Sequence, residues 1–119
     1  MSASVNEYTK AVERLSEALA QNKNDFIRDS VIQRFEFCIE LAWKTSKKVM
    51  GTATTAPKDV LREMAQSGYI TDIEFWLKAI DMRNLSSHTY KEDLAEQVYS
   101  FAASFLSELK KLNAKLESK

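Results

Sequence analysis

Apolar residues recur along this chain at steps of three and four, a spacing that predicts helices almost throughout. Val5, Tyr8, Val12, Leu15 and Leu19 mark one stripe, so a first helix is expected over residues 3 to about 21. The polar stretch Gln21-Asn22-Lys23-Asn24 breaks it, and Asn24 or Asp25 can cap the next helix by accepting from its free N–H groups. From about 26 to 50, Ile27, Val31, Phe35, Cys38, Ala42 and Val49 lie along one line. Ile32, Ile39 and Trp43 widen it to an arc of roughly 200°, which suits a central helix packed on more than one side. The narrow polar side holds Glu36, Glu40, Lys44 and Lys47 and reads as a solvated face, with Glu40 and Lys44 at i,i+4. Gly51 suits the left-handed residue that ends this helix.

Residues 52–56 read as a loop, and Pro57 opens a short third helix, where its missing N–H does no harm. Val60, Leu61 and Met64 give that helix a small apolar face, and Gly68 ends it. Thr71 and Glu74 form a capping-box pattern that starts a fourth helix at about 72. There Ile73, Trp76, Leu77 and Ile80 share one face, and Phe75, Ala79 and Met82 share nearly the opposite one. Such a helix needs two neighbours: the core, and either more of the same bundle or a second copy of the chain. Thr89 and Glu92 make another capping pair, and a long fifth helix follows to about 116. Leu94, Val98, Phe101, Phe105, Leu109, Leu112 and Leu116 form its stripe, and Lys110, Lys111 and Lys115 complement its C-terminal dipole. The fold class expected is all-α, an up-and-down bundle of four or five helices in one domain over residues 1–119.

Composition sharpens this reading mainly by exclusion. The 119 residues include two Gly and one Pro, too few turn residues for many strands. Formal net charge is zero and the pI is about 6.6, so polynucleotide binding would need a local positive patch. Cys38 is the only cysteine and sits on the apolar line, as expected of an inert core residue. One Cys and one His build no metal motif, and no cofactor is expected. No signal peptide or membrane-length apolar run is present, which points to the cytoplasm.

Chemistry concentrates in Arg83-Asn84-Leu85-Ser86-Ser87-His88-Thr89-Tyr90, which holds the only histidine. On a continuous helix Arg83 and His88 would stand about 140° apart, so the helix must end or bend near Asn84 to Ser87 for them to cooperate. Histidine moves protons near neutral pH, and the planar guanidinium fork matches phosphate oxygens. Together they suit attack on a phosphodiester, with histidine taking the proton of a ribose 2′-OH and arginine stabilising charge on the phosphorus oxygens. Metal-free cleavage wants both a base and an acid, which a two-fold dimer would supply from two copies of His88. A single histidine near a helix end is also commonly a cap or a packing residue.

The pattern Arg83-Asn84-x-x-x-His88-x-Tyr90 resembles the R-x4-H-x-Y signature of HEPN domains. The chain is most similar to the small HEPN proteins encoded beside a minimal nucleotidyltransferase (MNT), first labelled nucleotidyltransferase substrate-binding proteins. Arg34 to Lys44 looks like the family's second helix, Pro57 to Arg62 like its third, and Trp76-Leu77 with Arg83-Asn84 like its fourth. The resemblance implies a helical homodimer with the motif at the interface. It implies a metal-independent ribonuclease with Arg83 and His88 catalytic, and Asn84 and Ser87 as supporting polar groups. It also implies a toxin paired with an MNT antitoxin that transfers AMP from ATP onto Tyr90. Bulk and phosphate charge two residues from His88 would block the cleft to RNA. Two other readings stay open: a non-catalytic module that holds a nucleotide or substrate for the nucleotidyltransferase, and a structural partner whose motif only shapes the dimer.

Overall fold

The computed structural model describes residues 3–119 as five α-helices and one 3-10 turn, with no strand among them. Helix α1 (Val5–Leu19) opens on Ser4, whose hydroxyl accepts from the Glu7 N–H. Helix α2 (Asp25–Met50) opens on Asn24, which accepts from the Ile27 N–H at 2.8 Å. It closes on Gly51 at φ 70°, with the Thr52 N–H reaching back to the Lys47 carbonyl. Helix α3 (Pro57–Gln66) closes the same way: Gly68 takes a positive φ, and the Tyr69 N–H bonds the Met64 carbonyl at 2.8 Å. Helices α4 (Ile73–Leu85) and α5 (Glu92–Glu117) flank the 3-10 turn Ser86–His88.

Long-range hydrogen bonds set the directions. Thr45 Oγ1 donates to the Ser4 carbonyl, so α1 and α2 run antiparallel. Tyr8 donates from deep in the core to the Leu109 carbonyl at 2.8 Å, tying the start of α1 to the end of α5. Arg28 reaches Glu92, so α2 and α5 start at the same end. Helix α4 returns against α5, with Trp76 edge-on to Phe105 at 4.7 Å and Phe75 edge-on to Phe101 at 5.3 Å. The up-and-down order expected from the sequence is therefore α1, α2, α4, α5, with α3 as a short strut against α2 and α4.

The apolar stripes became the core. Tyr8, Val12, Leu15, Val31, Phe35, Cys38, Val60, Leu61, Met64, Trp76, Phe105, Leu109 and Leu112 are buried. Each large side chain removed from water contributes about 1.5–3 kcal/mol. Burial pushes the Cys38 thiol up to about 12, in keeping with an inert residue. No helix among the described residues is long and apolar enough to cross a membrane.

Several local expectations are corrected. Asp72, not Thr71, caps α4: its carboxylate accepts from the Phe75 N–H at 3.2 Å. Thr89 does not cap α5; its hydroxyl donates to the Ser86 carbonyl, and α5 starts after Lys91 with no side-chain cap. Glu92 is drawn instead to Arg28, a partner 64 residues away that outcompetes the local box. Val49, expected on the apolar line of α2, is more than a third exposed beside the start of α1. Both faces of α4 pack inside the chain: Trp76 and Ile80 are buried on one side, Ala79 and Met82 on the other. Ile73, Phe75 and Leu77 on these same faces are half-buried.

Candidate functional site

The motif occupies the end of α4, the 3-10 turn and the first residues beyond it. Three hydroxyls shape this corner. Ser86 donates to the Arg83 carbonyl, Ser87 to the Asn84 carbonyl at 3.0 Å, and Thr89 to the Ser86 carbonyl at 3.1 Å. Each bonds a carbonyl three residues back at the end of the helix, where the Ser86 N–H also reaches the Arg83 carbonyl and the α-helix gives way to a 3-10 turn. That is the bend expected between Arg83 and His88. Ser87 thereby acts on the backbone, whatever else its oxygen accepts.

Arg83 lies in the last turn of α4. Its Nε is 2.8 Å from Glu40 Oε1 on α2, and Glu40 Oε2 is 3.2 Å from Lys44 Nζ. The Arg83 Nε–H does not point along that contact, so it is an ion pair rather than an aligned hydrogen bond. Nε is enclosed, whereas neither terminal nitrogen is, and neither has a protein partner among the described residues. Glu40 therefore anchors the inner end of the guanidinium and leaves the outer fork open.

His88 and Tyr90 are both exposed, Tyr90 to 77%. Their rings meet edge-on with centroids 6.0 Å apart. Neither the imidazole nor the phenol hydroxyl has a protein hydrogen-bond partner among the described residues, and Asn84 is exposed beside them. The structure brings His88 to Tyr90 and Arg83 to Glu40, and no hydrogen bond joins Arg83 to His88 within the chain. A surface groove of about 490 Å³ between α4 and α5 is lined by Lys78, Met82, Glu96 and Phe101 among others and by none of the motif's charged groups.

Two residues escaped the sequence reading. Glu40 was expected on a solvated face, but it is the carboxylate that holds Arg83. Arg28 is 5% exposed, with Glu92 Oε2 at 2.6 Å from Nη1 and Asp29 and Asp25 beside it. It ties the N-terminus of α2 to the first residue of α5, two residues beyond Tyr90. Hydrogen bonding to Glu92 raises the Arg28 pKa, and the same bond lowers that of Glu92. Its one legible signal was an arginine in the first turn of a helix, where the dipole disfavours a cation unless carboxylates surround it.

Comparison with known proteins gives the same picture. Residues 3–118 match the family described as nucleotidyltransferase substrate binding protein like. A probable ribonuclease HepT from Haemophilus influenzae is 36% identical over 92 residues, which is 71% of this chain and 63% of that relative's length. A solved structure from Haemophilus influenzae, described as the fold of a substrate binding domain of a nucleotidyltransferase, superposes with TM-score 0.86 at 29% identity. That superposition covers 95% of this chain and 98% of that one. A crystal structure from Thermus thermophilus superposes with TM-score 0.83 at 28% identity, covering 92% and 98%. With its helices in the same arrangement and a family match across nearly its whole length, this chain belongs to the nucleotidyltransferase substrate binding protein-like family.

Proposed function

We propose that this protein is the toxin of a HEPN/MNT toxin–antitoxin module, a metal-independent endoribonuclease. The carrying observation is that one corner of the fold presents a cation with its outer fork free and an imidazole and a phenol without protein partners. Similarity to a probable ribonuclease supports the reading. His88 removes the proton of a ribose 2′-OH, and that oxygen attacks the adjacent phosphorus. The bond to the 5′-oxygen breaks, leaving a 2′,3′-cyclic phosphate. Arg83 stabilises the charge that builds on the non-bridging oxygens. The departing 5′-oxygen takes its proton from the His88 of a second subunit, across the groove of a homodimer. His88 is exposed and the outer fork of the half-buried Arg83 is open, which suits a site completed by another copy.

The cognate nucleotidyltransferase acts as antitoxin in this reading. The Tyr90 oxygen attacks the α-phosphorus of ATP and pyrophosphate leaves, so AMP is joined to the phenol. With 77% of Tyr90 exposed and its ring on His88, the new phosphate lies beside the imidazole. Incubation of purified protein with RNA in EDTA is the test. Cleavage is expected, and should fall about 100-fold or more in Arg83→Ala and His88→Ala. A binding-only subunit of a minimal nucleotidyltransferase is the second reading, favoured by the description of the structural relative. Intact RNA together with nucleotide binding would establish it instead. Mixing with the nucleotidyltransferase and ATP should add AMP mass to wild type and none to Tyr90→Phe.

A further inference from the structure

Arg28, Arg62 and Arg83 each hold a carboxylate within ion-pair distance. The other two arginines, Arg14 and Arg34, hold none among the described residues. These two line the same trough between α1 and α2, where they separate a hollow of about 430 Å³ from one of about 230 Å³. Arg34 is oriented by Ser30, to which its Nε donates at 3.1 Å. The larger hollow has an apolar floor that includes Leu41, and Phe37 stands at its wall 48% exposed. Phe26 is 87% exposed, and eleven residues along one helix put it about 16 Å from Phe37 and about 20° around the axis. Arg34 stands between these two aromatic positions along α2, nearer Phe37, and Arg14 faces it from α1. The trough also holds Lys10, Glu7 and Glu17, and neither carboxylate lies within ion-pair distance of a cation.

We propose that this trough is a track for single-stranded RNA, in which Arg14 and Arg34 take backbone phosphates and Phe37 and Phe26 stack bases. The chemistry matches a flexible polyanion with flat faces: every base stacks on an aromatic ring, and an arginine without a carboxylate takes a phosphate with no ion pair to break. The track also leads to the motif. Phe37 and Glu40 are three residues apart and so adjacent on the surface of α2, and Glu40 holds Arg83. With Lys10, Arg14 and Arg34 against Glu7 and Glu17, the trough carries a net charge of +1 in a chain of zero net charge, a local excess of the sign that RNA contact demands. The inference rests on RNA being the substrate, but not on the chemistry of the cut.

The test uses the full chain carrying His88→Ala, so that cleavage does not consume the probe, and a fluorescein-labelled unstructured 12-nucleotide RNA read by anisotropy at several salt concentrations. Adding Arg14→Gln and Arg34→Gln together should weaken binding about ten-fold and reduce the salt slope by roughly 1.4, the value for two phosphate contacts on a single strand. Phe37→Ala should weaken binding at least about five-fold at every salt concentration, since stacking is not ionic. Arg62→Gln, which removes an exposed cation from α3, a helix that does not touch α1, should cost less than about two-fold. Affinity and slope unchanged in the arginine pair would overturn the proposal. So would unchanged RNA affinity with lost binding to the nucleotidyltransferase, which would make the trough a protein-docking face. If the wild type fails to cut RNA while the trough variants still lose it, the track stands and the ribonuclease reading falls.

Discussion

Glu40 holds Arg83: a carboxylate in the middle of α2 lies 2.8 Å from the Nε of an arginine that ends α4. The contact engages the inner nitrogen and leaves the outer fork for a ligand. Glu40 is thus a positioning residue, for it meets the cation and not the phosphate. Glu40→Gln keeps the shape and removes the charge. The pair is partly exposed, so about 1 kcal/mol is at stake, and kcat for RNA cleavage should fall roughly five-fold. The melting temperature should move by no more than a few degrees. A lower melting temperature with an unchanged kcat would show that Glu40 only braces the bundle.

Arg28 and Glu92 make the fold sensitive to acid. The bond to Arg28 holds the Glu92 pKa below the ordinary glutamate value of 4.5. A carboxyl with a depressed folded pKa stabilises the protein fully above its unfolded pKa, and that contribution is lost as the pH falls through the folded value. Wild type should therefore lead Glu92→Gln in urea unfolding at pH 7, and the gap should close below pH 4.5. A gap that stayed constant from pH 7 to pH 3 would deny the pair this role.

Tyr8 is fully buried, and its hydroxyl donates to the Leu109 carbonyl, 101 residues away in the chain. Burial raises the phenol pKa, so the group stays a neutral donor at any working pH. Tyr8→Phe removes that one bond and little volume. Unfolding in urea should show a loss of about 1 kcal/mol with the m-value unchanged. No loss at all would mean the bond contributes nothing net.

Cys38 offers a check on the core itself. Its thiol is buried, and burial pushes its pKa up to about 12. Thiolate is the reactive form, so Ellman's reagent at pH 8 should leave the native protein unlabelled and label it fully in denaturant. Rapid labelling of the native chain would place Cys38 outside the core.

Most of the fold was legible in the sequence. Helix existence, the caps at Asn24 and Gly51, the entry at Pro57 and the burial of Cys38 followed from period and turn chemistry. Such features depend on hydrogen bonds a few residues long, and spacing reports those directly. The end of α4 between Arg83 and His88 was legible too, and the Ser-Ser-His turn marks it. Tertiary structure alone decided what competes with a local rule. Thr89 and Glu92 satisfy the capping-box spacing, yet a long-range arginine claims the glutamate. Glu40 and Lys44 satisfy a helix-surface spacing, yet Glu40 also turns to α4. The two apolar faces of α4 were compatible with a bundle or a dimer, and only the folded chain shows one residue of each face, Phe75 and Trp76, packed on α5. A charge or an apolar face has no preferred sequence separation for its partner, so the pattern names the groups that need partners and the folded chain selects them.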